Sequence, residues 1–191
     1  MFKNRLEAFS DGVLAIIITI MVLEMKVPHE ATWDALKGIL PVFLSYVLSF
    51  VFLGIYWNNH HHMLHTVEKV NGKILWANLH LLFWLSLIPF TTGFMGENDF
   101  AQITAAVYGI NLLLAGIAYF ILERSIIKSH DADHILARAV GRDYKGKASV
   151  IAYFVAVGIC WFNHWLAIGI YIAVAVMWFA PDRRIESMMS D

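Results

Sequence analysis

A single cysteine, Cys160, excludes a disulfide framework and leaves a thiolate metal site without a second ligand. Charge is scarce as well: lysine, arginine, aspartate and glutamate make up 15% of the 191 residues, against about 25% in an ordinary soluble domain. The net charge is −1 and no long basic block occurs, so nucleic acid, which needs a concentrated cationic face, is excluded as the main partner. The chain has no G-x-S-x-G elbow, no H-E-x-x-H pair, no Walker A loop and no T-V-G-Y-G filter. It has no internal repeat either. Small residues suited to signal cleavage do not follow the first apolar run, where Glu24, Met25 and Lys26 stand, so this run reads as a retained span.

What is abundant is apolar surface. Hydrophobic residues reach 59% and the mean hydropathy is +0.62, more than a soluble core of this size can hide. A bilayer core of ~30 Å asks for helices of about 17 to 25 residues. Six candidates follow, at residues 9–27, 39–59, 74–94, 101–122, 149–163 and 164–180. The last two adjoin at residues 161–165 and read as two spans joined by a tight turn. The fold class is therefore an all-α membrane protein with six transmembrane helices in one domain, residues 1–191, and one sizeable polar loop at 124–147.

Basic residues set the orientation, because cytoplasmic connections carry the excess of lysine and arginine. With the N-terminus inside, only Lys26 and Lys37 fall outside, and the other 12 of the 14 basic residues, from Lys3 and Arg5 to Arg183 and Arg184, fall inside. Both termini are expected in the cytoplasm. The four prolines agree with this plan: Pro28 and Pro181 follow spans, and Pro41 sits in the first turn of the second. Pro89 lies within the third, where a kink or break is expected around residues 88–93.

The first span carries the polar chemistry. Ionisable groups in hydrocarbon are costly and are functional candidates by default, and Arg5, Asp11 and Glu24 lie in or beside this run. Ile16, Ile20 and Leu23 share one helical face with Val27, and Thr19 lies beside them. Packing or lipid contact is one reading of that stripe, and a polar path is the other. Asp11 and His60 share a depth near the inner surface, where Arg5, Ser10, Trp57 and His60 are within reach to complete the carboxylate's hydrogen bonds. A structural clamp between the first two helices and a proton relay or cation site both fit. Glu97 and Asp99 read as a solvated outer turn, and Trp33, Trp57, Trp76, Trp161, Trp165 and Trp178 as belt anchors near span ends.

The run NHHHMLH, from Asn59 to His65, reads as interfacial histidines at a helix end, or as metal ligands, since His61 and His65 stand at i, i+4 and His130 and His134 repeat that spacing. A histidine-box di-iron enzyme needs further His-His boxes, and His29, His80 and His164 are isolated. A proton leak or proton-coupled transporter using Asp11, His60 and Glu24 is the transporter alternative.

Taken together, R-x-x-x-F-S-D at Arg5 to Asp11, A-I-x-x-T with an L-E exit, W-x-x-H at Trp57 and His60, and I-P-F-T-T with G-E at Ile88 to Glu97 resemble the prokaryotic members of the transmembrane protein 175 family of potassium channels. The resemblance covers nearly the whole chain. It implies a six-helix protein of the prokaryotic inner membrane that assembles as a homotetramer, with four copies of the first helix around the axis. It implies Ile16 as the principal hydrophobic constriction, Ile20 and Leu23 as the next apolar layers, and Thr19 as a hydroxyl layer linked to potassium preference. Arg5, Phe9, Ser10, Asp11, Trp57 and His60 match a network tying the first two helices together. No cofactor is implied beyond permeant potassium, no metal site, and no enzyme activity.

Overall fold

The computed structural model describes residues 3–130, 136 and 143–179, and among them every regular element is a helix. They are α1 (Lys3–Leu23), α2 (Trp33–Gly38), α3 (Leu40–His65), α4 (Gly72–Ser86), α5 (Ile88–Glu97), α6 (Gln102–Lys128), α7 (Tyr144–Ile159) and α8 (His164–Phe179). Four stretches are long and apolar enough to cross a membrane: α1, α3, α4 with α5 as one 26-residue run, and α6. At 16 residues each, α7 and α8 rise about 24 Å, short of the ~30 Å hydrocarbon core. The turn expected at residues 161–165 is present one residue earlier, between Ile159 and His164, and joins two separate helices.

The helices depart from the expected boundaries in instructive ways. The span expected at 9–27 begins at Lys3, where Lys3 and Glu7 pair at i, i+4 (3.8 Å), and stops at Leu23. Charges at Glu24 and Lys26 and the extended backbone that Pro28 imposes on its predecessor end it there. The span expected at 39–59 continues to His65, so the whole histidine run is helical, and Pro41 sits in its first turn as expected. The expected loop at 124–147 shrinks from both sides, because α6 runs to Lys128 and α7 starts at Tyr144, capped by the Asp143 carboxylate on the Gly146 N–H (3.0 Å). His134, Arg138, Arg142, Pro181, Arg183 and Arg184 lie outside the described residues.

The third span breaks at Leu87, just ahead of the window expected for Pro89. Proline has no N–H for the Leu85 carbonyl and its ring crowds that position, so the chain starts a new helix with Pro89 in its first turn. The break leaves the Ile88 N–H without its helical acceptor and the Trp84 carbonyl with only the Leu87 N–H (3.3 Å). Asn111 of α6 repairs it: with its amide nitrogen toward Trp84, the side chain donates to that carbonyl (3.0 Å) and accepts from Ile88 (3.3 Å). Buried backbone groups need such partners, most of all in a bilayer.

Two apolar cores share α3 and α6. One gathers Leu14 and Ile17 of α1, Leu53 of α3, Leu81 and Leu85 of α4 and Leu122 of α6. The other packs Phe52, Tyr108 and Leu112 against Tyr153 and Ala156 of α7 and Tyr171 of α8. Cross-links mark the two ends of the bundle. At one end Lys3 Nζ donates to the His65 carbonyl, Asn71 to Ser129 (2.8 Å), and Trp178 to Ser149 (2.7 Å). At the other, Lys26 pairs with Glu97 (3.0 Å) and the Phe100 and Trp165 rings meet at 5.7 Å. Successive long helices therefore run up and down.

Candidate functional site: the two faces of α1

Helix α1 has a buried face and a bare one. Leu6, Ser10, Leu14, Ile17 and Met21 recur at three- and four-residue steps and are buried against α3, α4 and α5. On the opposite side Ile16 is 58% exposed, Ile20 41% and Leu23 78%, with Phe9, Gly12 and Thr19 along the same side. Among the described residues nothing covers this stripe. The Thr19 hydroxyl donates back to its own helix, toward the carbonyls of Ala15 (3.0 Å) and Ile16 (2.9 Å). Its hydrogen is committed to the backbone, so what Thr19 presents on the bare face is an oxygen acceptor. Beside the stripe, Val13, Ile16 and Ile20 with Pro89, Phe90 and Phe94 line a groove of about 560 Å³ between α1 and α5, flanked by Glu24 and Glu97.

The buried face is held by a polar triad. The Asn78 amide of α4 donates to Ser10 Oγ (2.9 Å), its oxygen pairs with His60 Nε2 (2.7 Å), and Ser10 donates in turn to the Leu6 carbonyl (2.9 Å). All three side chains belong to fully buried residues. Since Asn78 Oδ1 is an acceptor, His60 Nε2 carries the hydrogen, and the chain His60 to Asn78 to Ser10 to Leu6 runs in one donor direction. Three helices are thereby pinned at one depth.

Asp11 makes a separate link. Trp57 Nε1 donates to its Oδ1 at 3.1 Å, on the flank of α1 that faces α3, and Trp57 remains half exposed. The carboxylate's partner is thus the indole, while Ser10 and His60 turn to Asn78. Arg5 and Phe9 lie on the bare side, and among the described residues Arg5 has no hydrogen bond or ion pair. Asn78 is the residue that sequence reasoning missed. A lone amide in the apolar run ILWANLHLL was its signal, because an amide in hydrocarbon needs a partner on another helix.

The histidines separate by role. His60 faces inward, while His61 stacks on His65 (6.3 Å between centroids) and lies beside Trp57. His130 accepts from the Glu68 N–H at Nε2 (3.2 Å) and directs Nδ1 at the Ile126 carbonyl (2.9 Å), which ties the end of α6 to the α3–α4 connection. His80 accepts from Trp84 (2.9 Å) within α4.

Residues 5–89 match the family model described as the endosomal/lysosomal potassium channel TMEM175. A protein of a Chryseobacterium species named as a potassium channel is 53% identical over 191 residues, covering 100% of both chains. The chain belongs to the TMEM175 family. The crystal structure of a lysosomal potassium-selective channel TMEM175 homolog from Chamaesiphon minutus superposes with a TM-score of 0.82 at 28% identity, over 94% of this chain and 97% of that one. A relative from Gallus gallus, named as an endosomal/lysosomal proton channel, is 28% identical over 174 residues, 82% of this chain and 35% of the relative. TMEM175 proteins are ion channels, so this chain is a multi-pass membrane channel and not an enzyme, and the histidine-box di-iron reading falls. The matched stretch contains both faces of α1, the Ser10–Asn78–His60 triad and the Asp11–Trp57 link.

Proposed function

We propose that this chain is a potassium channel of the prokaryotic inner membrane, a homotetramer in which the bare face of α1 lines the pore. The observation that carries the reading is the stripe Ile16, Ile20 and Leu23, left uncovered among the described residues while the opposite face of the same helix is pinned by buried hydrogen bonds. Four chains around one axis turn such a stripe toward its copies across a shared pore. Each chain contributes six spans, α1, α3, α4 with α5, α6, α7 and α8, and both termini lie in the cytoplasm. The names of the bacterial relatives support the ion, and the basic residues at the Lys3 end support the orientation.

Ile16 forms the principal constriction in this reading, with Ile20 and Leu23 as apolar layers outward. A ring of isoleucines replaces none of the water that an ion sheds, so passage favours the cation that sheds it more readily, potassium over sodium, and selectivity is modest. The Thr19 oxygens beside the neck add acceptor contacts and sharpen the preference. Closure is by steric block or dewetting at the same ring. Arg5 and Phe9 stand on the pore side, toward neighbouring copies, while Ser10, Asp11, Trp57 and His60 hold the helix at its angle. Potassium is the permeant ion, and no cofactor takes part.

Potassium flux from liposomes holding the purified protein, with sodium and impermeant-cation controls, tests this. The native chain passes potassium in preference to sodium, and Ile16→Asn passes more of both with less discrimination. Equal currents from the two, in a folded protein of unchanged oligomeric mass, would remove Ile16 from the pore.

The animal relatives' description as proton channels favours a second reading, in which protons share the path or take it over through Asp11 and His60. Acidification of the liposome lumen under an imposed pH gradient, lost in His60→Ala with potassium flux retained, supports it. Loss of potassium flux alone counts against it.

A further inference from the structure

The α7–α8 hairpin is the thin flank of the bundle. On α7 the uncharged run between Lys147 and Asn163 measures about 24 Å along a helix, whereas α6 keeps about 30 Å free of charge between Gln102 and Glu123. Tryptophans settle at the two surfaces of a hydrocarbon core ~30 Å thick, yet from Trp165 to Trp178 α8 rises only about 20 Å. The shortfall lies at one end. Away from Lys3 the hairpin is level with the start of α6, since the Phe100 and Trp165 rings meet at 5.7 Å. Along the helices Val157 lies against Gly109 and Val150 against Gly116, so Lys147 enters beside Tyr119, about one turn before Glu123, the first charge of α6 at that end. Trp178, donating to Ser149 (2.7 Å), marks the same level, because both line one crevice with Tyr119 and Asn59.

A span shorter than the hydrocarbon around it is accommodated by snorkelling of its flanking residues, by association or by thinning of the bilayer. Tilt only shortens the span further. Snorkelling is limited here, because Lys145 Nζ is held over the Trp178 ring at 5.9 Å and indoles close both ends of α8. Association through α1 leaves the hairpin at the periphery, since α7 and α8 pack in the core that α1 does not enter, and Ile151 and Phe154 of α7 with Leu166 and Val176 of α8 stay exposed. We propose that the bilayer thins by about 6 Å beside this hairpin, mainly in the leaflet at the Lys3 end, so that short-chain phospholipids gather on this flank. The proposal rests on the reading of α7 and α8 as spans and not on which ion the chain passes.

Quenching by brominated lipid reads this flank directly. The full-length chain carrying Cys160→Ala and Phe154→Cys, with a fluorophore on the introduced thiol, is reconstituted in equal amounts of dimyristoleoyl and dioleoyl phosphatidylcholine, one of them brominated at a time. The shorter brominated lipid quenches about twofold more than the longer one. Lys145→Leu with Lys147→Leu, which lengthens the uncharged run of α7 by one turn, brings that ratio to about one. Val176→Cys repeats the result from α8 if Phe154→Cys folds poorly. Equal quenching by the two lipids, or stronger quenching by the longer one, overturns the proposal. A twofold ratio that survives in the doubly substituted chain overturns it too, because the preference then does not come from the length of the hairpin. An impermeant maleimide distinguishes failure of the span reading: Phe162→Cys and Lys69→Cys react from opposite sides of the membrane when the hairpin spans, and reaction from one side overturns the span reading itself. Potassium flux is read separately, so an absent lipid preference leaves the channel reading untouched.

Discussion

Helices α1 and α6 are both long, apolar runs, yet they occupy the molecule differently. Half of the apolar stretch of α6 is buried in the chain, against 28% of that of α1. α6 is walled in: Tyr108 shares a hydrogen bond with Ser49 (2.9 Å), Asn111 repairs the break before Pro89, and Leu112 and Leu122 are fully enclosed. At Gly109 a Cβ would meet the Tyr171 hydroxyl and lie 2.6 Å from its ring. α1 is largely apolar on both faces, one pinned by Ser10 and Asn78 and the other uncovered among the described residues. The difference teaches that apolarity puts a helix in the membrane, whereas the distribution of its hydrogen-bond partners decides which of its faces the chain keeps for itself.

The largest effect separates two leucines. Leu112→Ala, at a fully enclosed site on α6, costs about 3 kcal/mol, the usual loss for an emptied core position. Leu23→Ala, on the bare face of α1, stays within about 0.5 kcal/mol. Denaturant unfolding in detergent measures both, and a comparable loss at Leu23 would mean that this face is packed against something in the purified protein. Next comes the repair of the helix break. Asn111→Leu leaves the Trp84 carbonyl and the Ile88 N–H without their side-chain partner and costs about 2 kcal/mol, while Thr19→Val on α1 leaves stability unchanged and lowers the potassium-to-sodium flux ratio.

The anchors of α1 itself yield the smaller effects. Asn78→Leu removes the donor to the buried Ser10 oxygen, strands the His60 ring nitrogen and costs about 1.5 kcal/mol. Asp11→Ala breaks only the half-exposed link to Trp57 and costs about 1 kcal/mol, and Asp11→Asn, which keeps an acceptor, recovers most of it. The thermal unfolding order Asn78→Leu below Asp11→Ala below Asp11→Asn checks the ranking. The reverse order would make the indole link, and not the triad, the principal anchor.

Much of the architecture was legible in the sequence because hydrocarbon imposes length and charge rules that local composition satisfies on its own. The apolar runs, Pro41 in a first turn and the interruption near Pro89 all follow from such local rules. Helix ends were less legible: Lys3, Asn4, His61, His62 and His65 are helical although polar, since helices continue into the interface where charged side chains reach water. The site was legible in its ingredients and not in its wiring. Ser10, Asp11, Trp57 and His60 stand out by type, but Asp11 to His60 looked as close in depth as Asp11 to Trp57. Asn78 and Asn111 carry no such mark, since an amide's importance depends on what lies across from it.

By itself the sequence determined that this chain is a multi-pass helical membrane protein, that Arg5, Asp11 and Glu24 lie in or beside its first span, and which residues share a face of that span. These are consequences of the cost of charge in hydrocarbon and of the 3.6-residue helical period, both of which act along a single segment. Only the tertiary structure decided that His60 meets Asn78 and not Asp11, that Asn111 closes the gap before Pro89, and that the Ile16 face is the one left bare. Those outcomes depend on which helices become neighbours, and a hydrogen bond between segments 18 or 68 residues apart is chosen by packing geometry that no local pattern encodes.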